Sequence, residues 1–261
     1  MPPRTIWKDI ADDLRRRVEA GEWAVGERLP TVRELMDQYS TPSQGAVVRA
    51  IATLSTEGVL VTDPQAPRRG VRVRSRTELS RKGTARYSRT SDGLAPNQHE
   101  AAAGGWHDEV TAERWREEAS AAVARRLGIA DGDPVTVARY LWLVDGQPVQ
   151  VGTQYEPLAL VQHTSIEEPV DGERGNPGVI ARFDSIGLYV DRVEEETRAR
   201  MPSPEEREIL QLGAGVPILH VTRTHWAGDI AVETADIAIC GDRMVITTTH
   251  NVPLPEGTSK S

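Results

Sequence analysis

A chain of 261 residues is long enough for two domains of ordinary size, and its single cysteine, Cys240, excludes an internal disulfide and a zinc site built from several cysteines. The net charge of −8 argues against a nucleic-acid partner for the chain as a whole. This exclusion does not extend to residues 1–90, because 17 Lys and Arg stand there against 11 Asp and Glu, so this part alone is basic.

The first predicted element is an amphipathic helix near the N-terminus. Ile6, Ile10, Leu14 and Val18 recur at every fourth residue, which is the spacing of one apolar face of a helix. Gly21 is typical of a residue that ends a helix. No signal peptide or membrane-spanning segment is evident in the sequence, so the protein is expected in the cytoplasm.

Two shorter helices are predicted next. Thr31 and Glu34 have the spacing of a capping box, in which each side chain accepts a hydrogen bond from the backbone N–H of the other residue. A turn at residues 40–42 separates this helix from a third, which is predicted to run from near Ser43 to Gly58. The residues expected to be exposed in the first two turns of the third helix are Gln44, Gly45, Val48 and Arg49.

A two-stranded hairpin is predicted to follow the third helix. Residues 59–61 and 71–73 read as short apolar strands around a polar loop. Three helices and such a hairpin form a winged helix-turn-helix, assigned to residues 1–76, whose third helix fits the major groove of DNA. The loop, or wing, carries Arg68, Arg69 and Gly70.

This stretch resembles the DNA-binding domain of the GntR family of bacterial transcription regulators. The motifs that carry the resemblance are Gly26 with Leu29-Pro30, Arg33-Glu34-Leu35, Val47-Val48-Arg49-Ala50 and Arg69-Gly70. In the family, the arginine before Glu-Leu contacts DNA, which implies this role for Arg33. Relatives carry an arginine and a threonine at the start of the third helix. Gln44 and Ala46 stand there in this chain, so its operator sequence is expected to differ.

The chemistry of the exposed side chains independently supports DNA contact. Gln44 can pair bidentately with an adenine edge, and Arg33 and Arg49 can bind phosphate or guanine. Gly70 would let the wing backbone approach the minor groove. A solvated surface charge is the alternative for any single arginine, but their cluster on one face favours DNA contact. The predicted DNA-binding residues are Arg33, Ser43, Gln44, Gly45, Arg49, Arg68, Arg69 and Gly70.

Residues 77–109 are predicted to be a linker between two domains. The segment is rich in Arg, Ser, Thr, Gly and Asn and has no apolar periodicity. One short strand is predicted at residues 86–88, and the Ala-Gly run at 101–105 is predicted to be an exposed loop.

The second domain, residues 110–253, is predicted to be an α+β unit with an antiparallel sheet, followed by a tail at 254–261. Two β-hairpins dominate it, at 135–155 and at 218–240, and each begins with Leu-Gly and a proline turn, which indicates an internal repeat. The other predicted elements are a helix at 111–127, a helix at 179–183, a strand at 188–200, a helix capped at Ser203 and a last strand at 244–252.

The order of these motifs resembles the UTRA effector-binding domain, which accompanies the GntR-type DNA-binding domain in the HutC subfamily. The resemblance rests on LGIADGDPV with VDGQPVQVGTQYEP, on RMPSPEEREILQLGAGVPILHVTRT and on AVETADIAICGDRMVI. The UTRA fold is similar to that of chorismate lyase. The resemblance implies that this domain binds a small molecule and forms a homodimer.

Strand parity predicts which side chains line an effector pocket. Tyr140 and Trp142 share one strand face, at the positions where relatives that sense sugar phosphates carry two arginines. The glutamate of those relatives falls at Gly152, so the sugar-phosphate clamp is absent, and two aromatic rings indicate a flatter or more apolar ligand. Gln154 and Glu233 are further candidates. The alternatives are ordinary core residues for the two aromatic side chains and a surface charge for Glu233.

No cofactor or metal site is predicted. The histidines are scattered, and His220 and His225 have opposite parity in one strand. The sequence also lacks a catalytic triad, a P-loop and a dinucleotide motif. It therefore predicts a regulator, most often a repressor in this family, that a small molecule releases from a palindromic operator. Two alternatives remain open: a dimeric regulator without a ligand, and a chorismate-lyase-like enzyme fused to a DNA-binding domain.

Overall fold

The chain forms two domains in the order predicted from the sequence. The computed structural model describes residues 6–24, 26–62, 70–74, 79–83, 86–89, 95–167, 178–213 and 215–249. The first domain contains three helices and a hairpin. Its elements are α1 (Ile6–Glu19), α2 (Val32–Gln38), α3 (Gln44–Thr56), β1 (Leu60–Thr62) and β2 (Val71–Val73).

The helices of the first domain enclose an apolar core. Leu14, Leu35 and Leu54, one from each helix, are completely buried. Burial of a leucine side chain stabilises a fold by about 1.5–3 kcal/mol. This shared core therefore holds the three helices at fixed positions. Antiparallel pairing of Leu60 with Val73 closes the hairpin against the same core.

Side-chain caps decide where α2 and α3 begin. Thr31 Oγ1 accepts from Glu34 N at 3.3 Å, and Thr31 N donates to Glu34 Oε2 at 2.6 Å, so the predicted capping box is formed. At α3, Ser43 Oγ accepts from Ala46 N at 3.2 Å. Each cap satisfies backbone N–H groups that the helix itself leaves unpaired. The exposed face of α3 is therefore set by its own first residues.

The second domain contains the remaining helices and strands. They are β3 (Leu79–Lys82), α4 (Pro96–Gly104), β4 (Asp108–Glu118), α5 (Ala121–Leu127), β5 (Pro134–Val144), β6 (Gln147–Pro157), α6 (Leu158–Val161), α7 (Val179–Asp184), β7 (Arg192–Arg200), α8 (Pro204–Ile209), β8 (Ile218–Ala227), β9 (Ile230–Cys240) and β10 (Met244–Thr247). Strands β4 to β9 form one antiparallel sheet in the order β4-β5-β6-β9-β8-β7, whereas β3 and β10 pair in parallel as a separate sheet.

The large sheet consists of two equivalent halves. Each half is a strand, a short capped helix and a hairpin, which are β4, α5, β5 and β6 in the first half and β7, α8, β8 and β9 in the second. Ser120 caps α5 and Ser203 caps α8. The halves meet where β6 pairs with β9 at the centre of the sheet. The repeat inferred from the two hairpins therefore extends to the strand and helix before each of them.

The helix predicted over residues 111–127 is wrong for most of its length. Asp108–Glu118 form β4, which pairs along its whole length with β5, and only Ala121–Leu127 are helical. Alanine, glutamate and arginine favour a helix locally. The backbone hydrogen bonds to β5 override that preference, because strand conformation depends on neighbouring strands. Trp115 is 38% exposed on this edge strand.

The segment interpreted as a linker, residues 77–109, is in large part a structural component of the second domain. It contains β3, α4 and the first residues of β4. Leu79 is 1% exposed and belongs to the same core cluster as Trp142. Local periodicity did not reveal this packing, because the partners of the segment lie far away in the sequence.

Three smaller predictions also need correction. Residues 86–88 are turn and bend rather than strand, and the run at 101–105 belongs mostly to α4. The last strand ends at Thr247 rather than near residue 252, and it pairs with β3. Residues 250–261, which include the predicted tail, lie outside the described residues.

Candidate functional site

The outer faces of α2 and α3 form the first candidate surface. Both helices turn their apolar side chains into the core of the first domain, which leaves polar and small residues outside. Val48, in the middle of this face, is 47% exposed. The predicted exposed face of α3 is thus confirmed. The exposed candidate residues on the two helices are Arg33, Gln44, Gly45 and Arg49.

Two of the predicted DNA-binding residues also have partners inside the domain. The guanidinium of Arg49 lies 4.3 Å from the ring centroid of Trp7 on α1. Such a cation–π contact is worth about 0.5–1 kcal/mol at an exposed site, so it holds the Arg49 side chain against this face. The hydroxyl of Ser43 accepts the hydrogen bond that begins α3.

The arginines of α1 differ from Arg33 in their partners. Arg15, Arg16 and Arg17 on α1 are paired with carboxylates, for example Arg15 Nη2 with Glu57 Oε2 at 2.7 Å. Arg33 forms no ion pair with any residue that the structure describes. An arginine without a neutralising carboxylate is the better phosphate ligand, which favours Arg33 over the α1 arginines.

The wing requires a glycine at position 70. Gly70 has φ +80°, which residues with a side chain rarely adopt, and an added Cβ would lie 2.5 Å from Arg28 Nε. The glycine therefore serves the turn and also makes room for the Arg28 side chain. Arg68 and Arg69 lie outside the described residues.

A cavity of about 1080 Å³ covers one face of the large sheet and forms the second candidate site. Its floor consists of side chains from β4, β5, β6, β8 and β9, and its walls come from β3, residues 86–89, α4 and α7. The volume is at the upper end of the range of roughly 300–1,000 Å³ that is typical of small-molecule sites.

Small residues in the sheet explain why this face is hollow. Tyr140 on β5 lies opposite Gly152 on β6 and Ala112 on β4. Two residues further along β6, Gln154 lies opposite Ala235 on β9, and Arg223 on β8 lies on the other side of Ala235. An added Cβ at Gly152 would meet Ile237 Cγ1 at an ordinary 3.5 Å. Glycine at position 152 therefore leaves space above the sheet, although the backbone there would also accept a residue with a side chain.

Four of the five predicted effector residues line this cavity. They are Tyr140, Trp142, Gly152 and Gln154. Trp142 is only 1% exposed and packs with Leu79, so it belongs both to the core and to the cavity wall. The Gln150 side chain also lines the cavity, and its Oε1 is buried without a hydrogen-bond partner in the described part of the chain.

Glu233 does not line the cavity, and it is not a surface charge either. Its side chain is 0% exposed and lies behind two residues that do line the cavity, Arg223 and His225. Glu233 Oε1 accepts from Arg223 Nη2 at 2.8 Å, and Glu233 Oε2 lies 2.6 Å from His225 Nδ1. Glu233 therefore positions the two side chains that the sequence analysis missed.

The charges of Arg223, His225 and Glu233 influence one another's pKa. Burial would raise the pKa of Glu233, but the adjacent Arg223 and His225 outweigh burial and lower it to about 2. Burial lowers the pKa of His225. The neutral imidazole can then donate from Nδ1 to Glu233, which leaves Nε2 as an acceptor.

The depressed pKa of Glu233 predicts an acid-dependent loss of stability. Its carboxylate stabilises the fold above the ordinary value of 4.5, and this contribution is lost as the pH falls from 4.5 through about 2. The free energy of unfolding of Glu233→Gln should therefore vary less over this interval than that of the unchanged protein. Glu205→Gln, at a mostly exposed glutamate paired with Arg139, is the control. Parallel curves for Glu233→Gln and the unchanged protein in urea titrations would contradict the prediction.

A second network links the cavity to β3. Arg81 on β3 and Tyr87 both bind Glu195 on β7. The Tyr87 ring stands edge-on to His225, with the ring centroids 5.8 Å apart. Glu195 lies directly opposite Arg223 on the neighbouring strand. Arg81 and Tyr87, which follow the wing in sequence, are therefore in direct contact with residues beside Arg223 at one end of the cavity.

Helix α7 is held over the cavity by a buried ion pair. Arg182 Nη1 and Nη2 bind the two carboxylate oxygens of Glu156 at 2.6 and 3.2 Å, and Nη2 also donates to the carbonyl of Ile166 at 2.9 Å. Both side chains are at most 6% exposed. A bidentate pair of this kind fixes orientation as well as distance.

Within the described ranges, the structure contains no group of three or more His, Cys, Asp and Glu side chains that could hold a metal ion. None of the helices described is long and apolar enough to cross a membrane. Arg139 pairs with Glu205 at 2.8 Å and takes no part in the cavity, because it lies on the strand face opposite to Tyr140.

Known proteins share both domains. The family model "Bacterial regulatory proteins, gntR family" matches residues 7–73, and the UTRA domain model matches residues 108–244. An uncharacterized HTH-type transcriptional regulator of Streptomyces coelicolor is 31% identical over 229 residues, which cover 85% of this chain and 84% of that protein.

Solved structures agree with this assignment. The crystal structure of a GntR-family transcriptional regulator is 30% identical, has a TM-score of 0.61 and is matched over 95% of this chain and 98% of its own. PhnF from Mycobacterium smegmatis, at 20% identity, shares the fold with a TM-score of 0.58 over 94% of this chain and 100% of its own. The families matched here are transcription regulators rather than enzymes. The chain belongs to the GntR family of bacterial transcription regulators and joins that family's DNA-binding domain to a UTRA domain.

Proposed function

We propose that this protein is a dimeric repressor of the HutC type, active in the cytoplasm, and that a small molecule bound in the cavity releases it from its operator. One observation carries the proposal: the segment that leaves the wing also forms a wall of the cavity. Leu79 and Ser80, only a few residues after β2, line the cavity. A ligand there would contact the same segment that carries the DNA-binding domain.

The contacts between the two domains support this coupling. Arg74, directly after the wing strand β2, is 4% exposed and pairs with Asp242 of the second domain. Asp242 precedes β10, which in turn pairs with β3. Movement of β3 by a ligand would therefore be transmitted both along the chain to Arg74 and through β10 to its partner Asp242.

The end of α3 also touches the second domain. An added Cβ at Gly215 would lie 2.8 Å from Thr56 Cγ2 and 2.9 Å from the Thr56 carbonyl oxygen. The two segments are thus so close that a side chain at position 215 could not fit between them. Because Thr56 ends α3, a shift of the segment at Gly215 would act directly on the end of that helix.

Release of DNA requires a preference of the ligand for one state. A ligand that binds the DNA-bound and the released arrangement equally well shifts nothing, whereas a change from 1:99 to 99:1 needs about a 10⁴-fold preference. In a dimer, the spacing of the two α3 helices must match the two half-sites of a palindromic operator. A small rotation of each domain around Arg74 and Thr56 would disturb that spacing.

The proposed DNA contacts combine base and phosphate recognition. Gln44 reads an adenine edge, and Gly45 lets the helix approach the bases closely. Ser43, Arg33 and Arg49 bind phosphate or guanine from α2 and α3, and the wing adds Arg68, Arg69 and Gly70. In the cavity, the proposed effector contacts are Tyr140, Trp142, Gly152 and Gln154.

Substitution of the exposed residues tests the DNA contacts. The operator would first be selected from random DNA with the purified full-length protein. Arg33→Ala should then weaken binding by about 10-fold and make it less sensitive to salt, because one phosphate contact is lost. Gln44→Ala should instead relax the preference at one base pair of each half-site. Gel-shift titrations at several salt concentrations measure both effects.

Arg125→Ala, on α5 of the second domain, is the matched control and should leave operator affinity unchanged. Equal affinity and equal salt dependence of Arg33→Ala and the control would refute the assignment of α2 to the DNA. Sedimentation equilibrium measures the oligomeric state, and a monomer at the concentrations that saturate the operator would exclude the dimer.

A further inference from the structure

The end of the cavity at Arg223 indicates the chemistry of its ligand. We propose that Arg223, held by Glu233, is the anchor for a ligand carboxylate, and that the rest of the ligand is an elongated flat body lying towards Tyr140 and Trp142. This inference rests on the proposed function, because it takes the cavity to be the effector site.

The Arg223 guanidinium has donors to spare. Its side chain is 8% exposed and lines the cavity, and the residue opposite it on β9 is the small Ala235. Of its five N–H groups, one donates to Glu233 Oε1 at 2.8 Å. The Nε atom is buried without a partner in the described part of the chain. A buried charged donor without an acceptor is unfavourable, so an oxygen atom from a ligand would be bound strongly.

The surrounding charges favour one negative charge on the ligand rather than two. Arg81 lies near both Arg86 and Arg223, and carboxylates already pair with Arg81 and Arg86, namely Glu195 with Arg81 and Glu100 with Arg86. Together with the Arg223–Glu233 pair, this end of the cavity is balanced. Every negative charge on a ligand is therefore in excess there. A carboxylate adds one such charge, which hydrogen bonds from the spare Arg223 donors offset, whereas a phosphate dianion adds two among three buried or half-buried carboxylates.

The shape of the floor sets the length of the ligand. Arg223 and Tyr140 lie three strands apart, on β8 and β5, which corresponds to about 14 Å across the sheet. Gly152 and Ala235 provide the hollow between them. The Tyr140 and Trp142 side chains form the apolar wall at the far end. The floor therefore fits a body of two linked rings better than a compact sugar.

Three matched probes test the anchor on the full-length protein. They are biphenyl-4-carboxylate, biphenyl-4-carboxamide and biphenyl-4-yl phosphate, whose binding can be followed by tryptophan fluorescence and by calorimetry. The carboxylate should bind about 10-fold more tightly than the uncharged amide, because its hydrogen bonds to Arg223 are charge-assisted. It should also bind more tightly than the phosphate.

Variants at Arg223 show whether this residue, rather than the rest of the cavity, causes the preference for the carboxylate. Arg223→Gln with Glu233→Gln removes both charges together, so no buried charge is left unpaired, and it should abolish the preference for the carboxylate while the affinity for the amide is kept. Arg223→Lys, which keeps the charge but not the planar donors, should lose most of the preference. Arg139→Gln, on the opposite face of the sheet, is the control and should change neither affinity.

The inference is overturned if the carboxylate and the carboxamide bind equally tightly or if the phosphate binds most tightly. It is also overturned if the double variant still prefers the carboxylate to the carboxamide. Absence of binding by all three probes at millimolar concentration would overturn it as well. The proposed function is tested separately with a metabolite extract. If such an extract releases the operator from the unchanged protein and from the double variant alike, the cavity keeps its role and only the assignment of Arg223 fails.

Discussion

The Gly152→Trp protein is expected to bind its operator as tightly as the unchanged protein and to remain bound when the effector is added. The indole would extend from the floor into the cavity beside Tyr140, where the ligand is proposed to lie. The backbone at Gly152 is extended, and the nearest atom to an added Cβ is 3.5 Å away, so the substitution does not strain the sheet. Release by the small-molecule fraction of a cell extract should fall by roughly 10-fold or more, because the indole occupies the space beside Tyr140 that the ligand needs.

Gly152→Ala is the matched control for this experiment. A single methyl group makes an ordinary contact with Ile237 and leaves most of the cavity free, so release should be close to that of the unchanged protein. Gel-shift titrations with and without the extract measure both variants. Normal release of Gly152→Trp would show that the cavity is not the effector site. Loss of operator binding without any extract would show that the cavity influences DNA binding by itself.

The Arg182→Met protein is expected to lose about 3–5 kcal/mol of stability in its second domain. The substitution leaves the Glu156 carboxylate buried without its bidentate partner, and an uncompensated buried charge carries a cost of this size. It also removes the bond to the Ile166 carbonyl, so α7 loses its attachment over the cavity. Urea denaturation followed by tryptophan fluorescence measures the change.

The double variant Arg182→Met with Glu156→Leu separates the charge effect from the packing effect. Replacement of a buried ion pair by apolar side chains of similar volume is often neutral, so most of the lost stability should return. A double variant as unstable as the single one would mean that the ion pair itself, rather than the unpaired carboxylate, holds α7 in place. Arg116→Met, at a half-exposed pair with Glu167, is the control and should change stability by less than about 1 kcal/mol.

The parts of the fold that were predicted correctly have local causes. The capping box of Thr31 and Glu34 specifies the start of α2 with only four residues. Asp145 and Gly146 both adopt positive φ, at 48° and 71°, as the two-residue turn of a tight hairpin requires. Each signal is complete within a few residues, so no knowledge of distant partners was needed.

The errors arose where a distant partner decides the conformation. β4 has a composition that suits a helix, and only its pairing with β5 makes it a strand. β3 is a four-residue strand in a polar segment, and its partner β10 is more than 150 residues away in the sequence. Short segments of this kind carry too little local preference to overcome the tertiary context.

The candidate site, too, was predicted only where local signals were sufficient. Alternation along β5 and β6 was enough to place Tyr140, Trp142, Gly152 and Gln154 on one face, because successive side chains in a strand point to opposite faces. The same rule separated His220 from His225. It could not show that Arg223 faces a cavity, since an arginine in an isolated strand reads as a surface charge. Nor could it show that Glu233 supports Arg223 from behind.

The sequence by itself determined the two domains, the DNA-binding head and the family, because these depend on caps, turns, periodicity and motifs that are each contained in a short stretch. Only the tertiary structure decided that the presumed linker is a cavity wall and that a buried Arg223–Glu233–His225 cluster forms one end of that cavity. The physical reason is that enclosure and charge pairing are properties of surfaces brought together. β3 lies against the sheet where it pairs with β10, and Glu233 meets Arg223 where β8 pairs with β9.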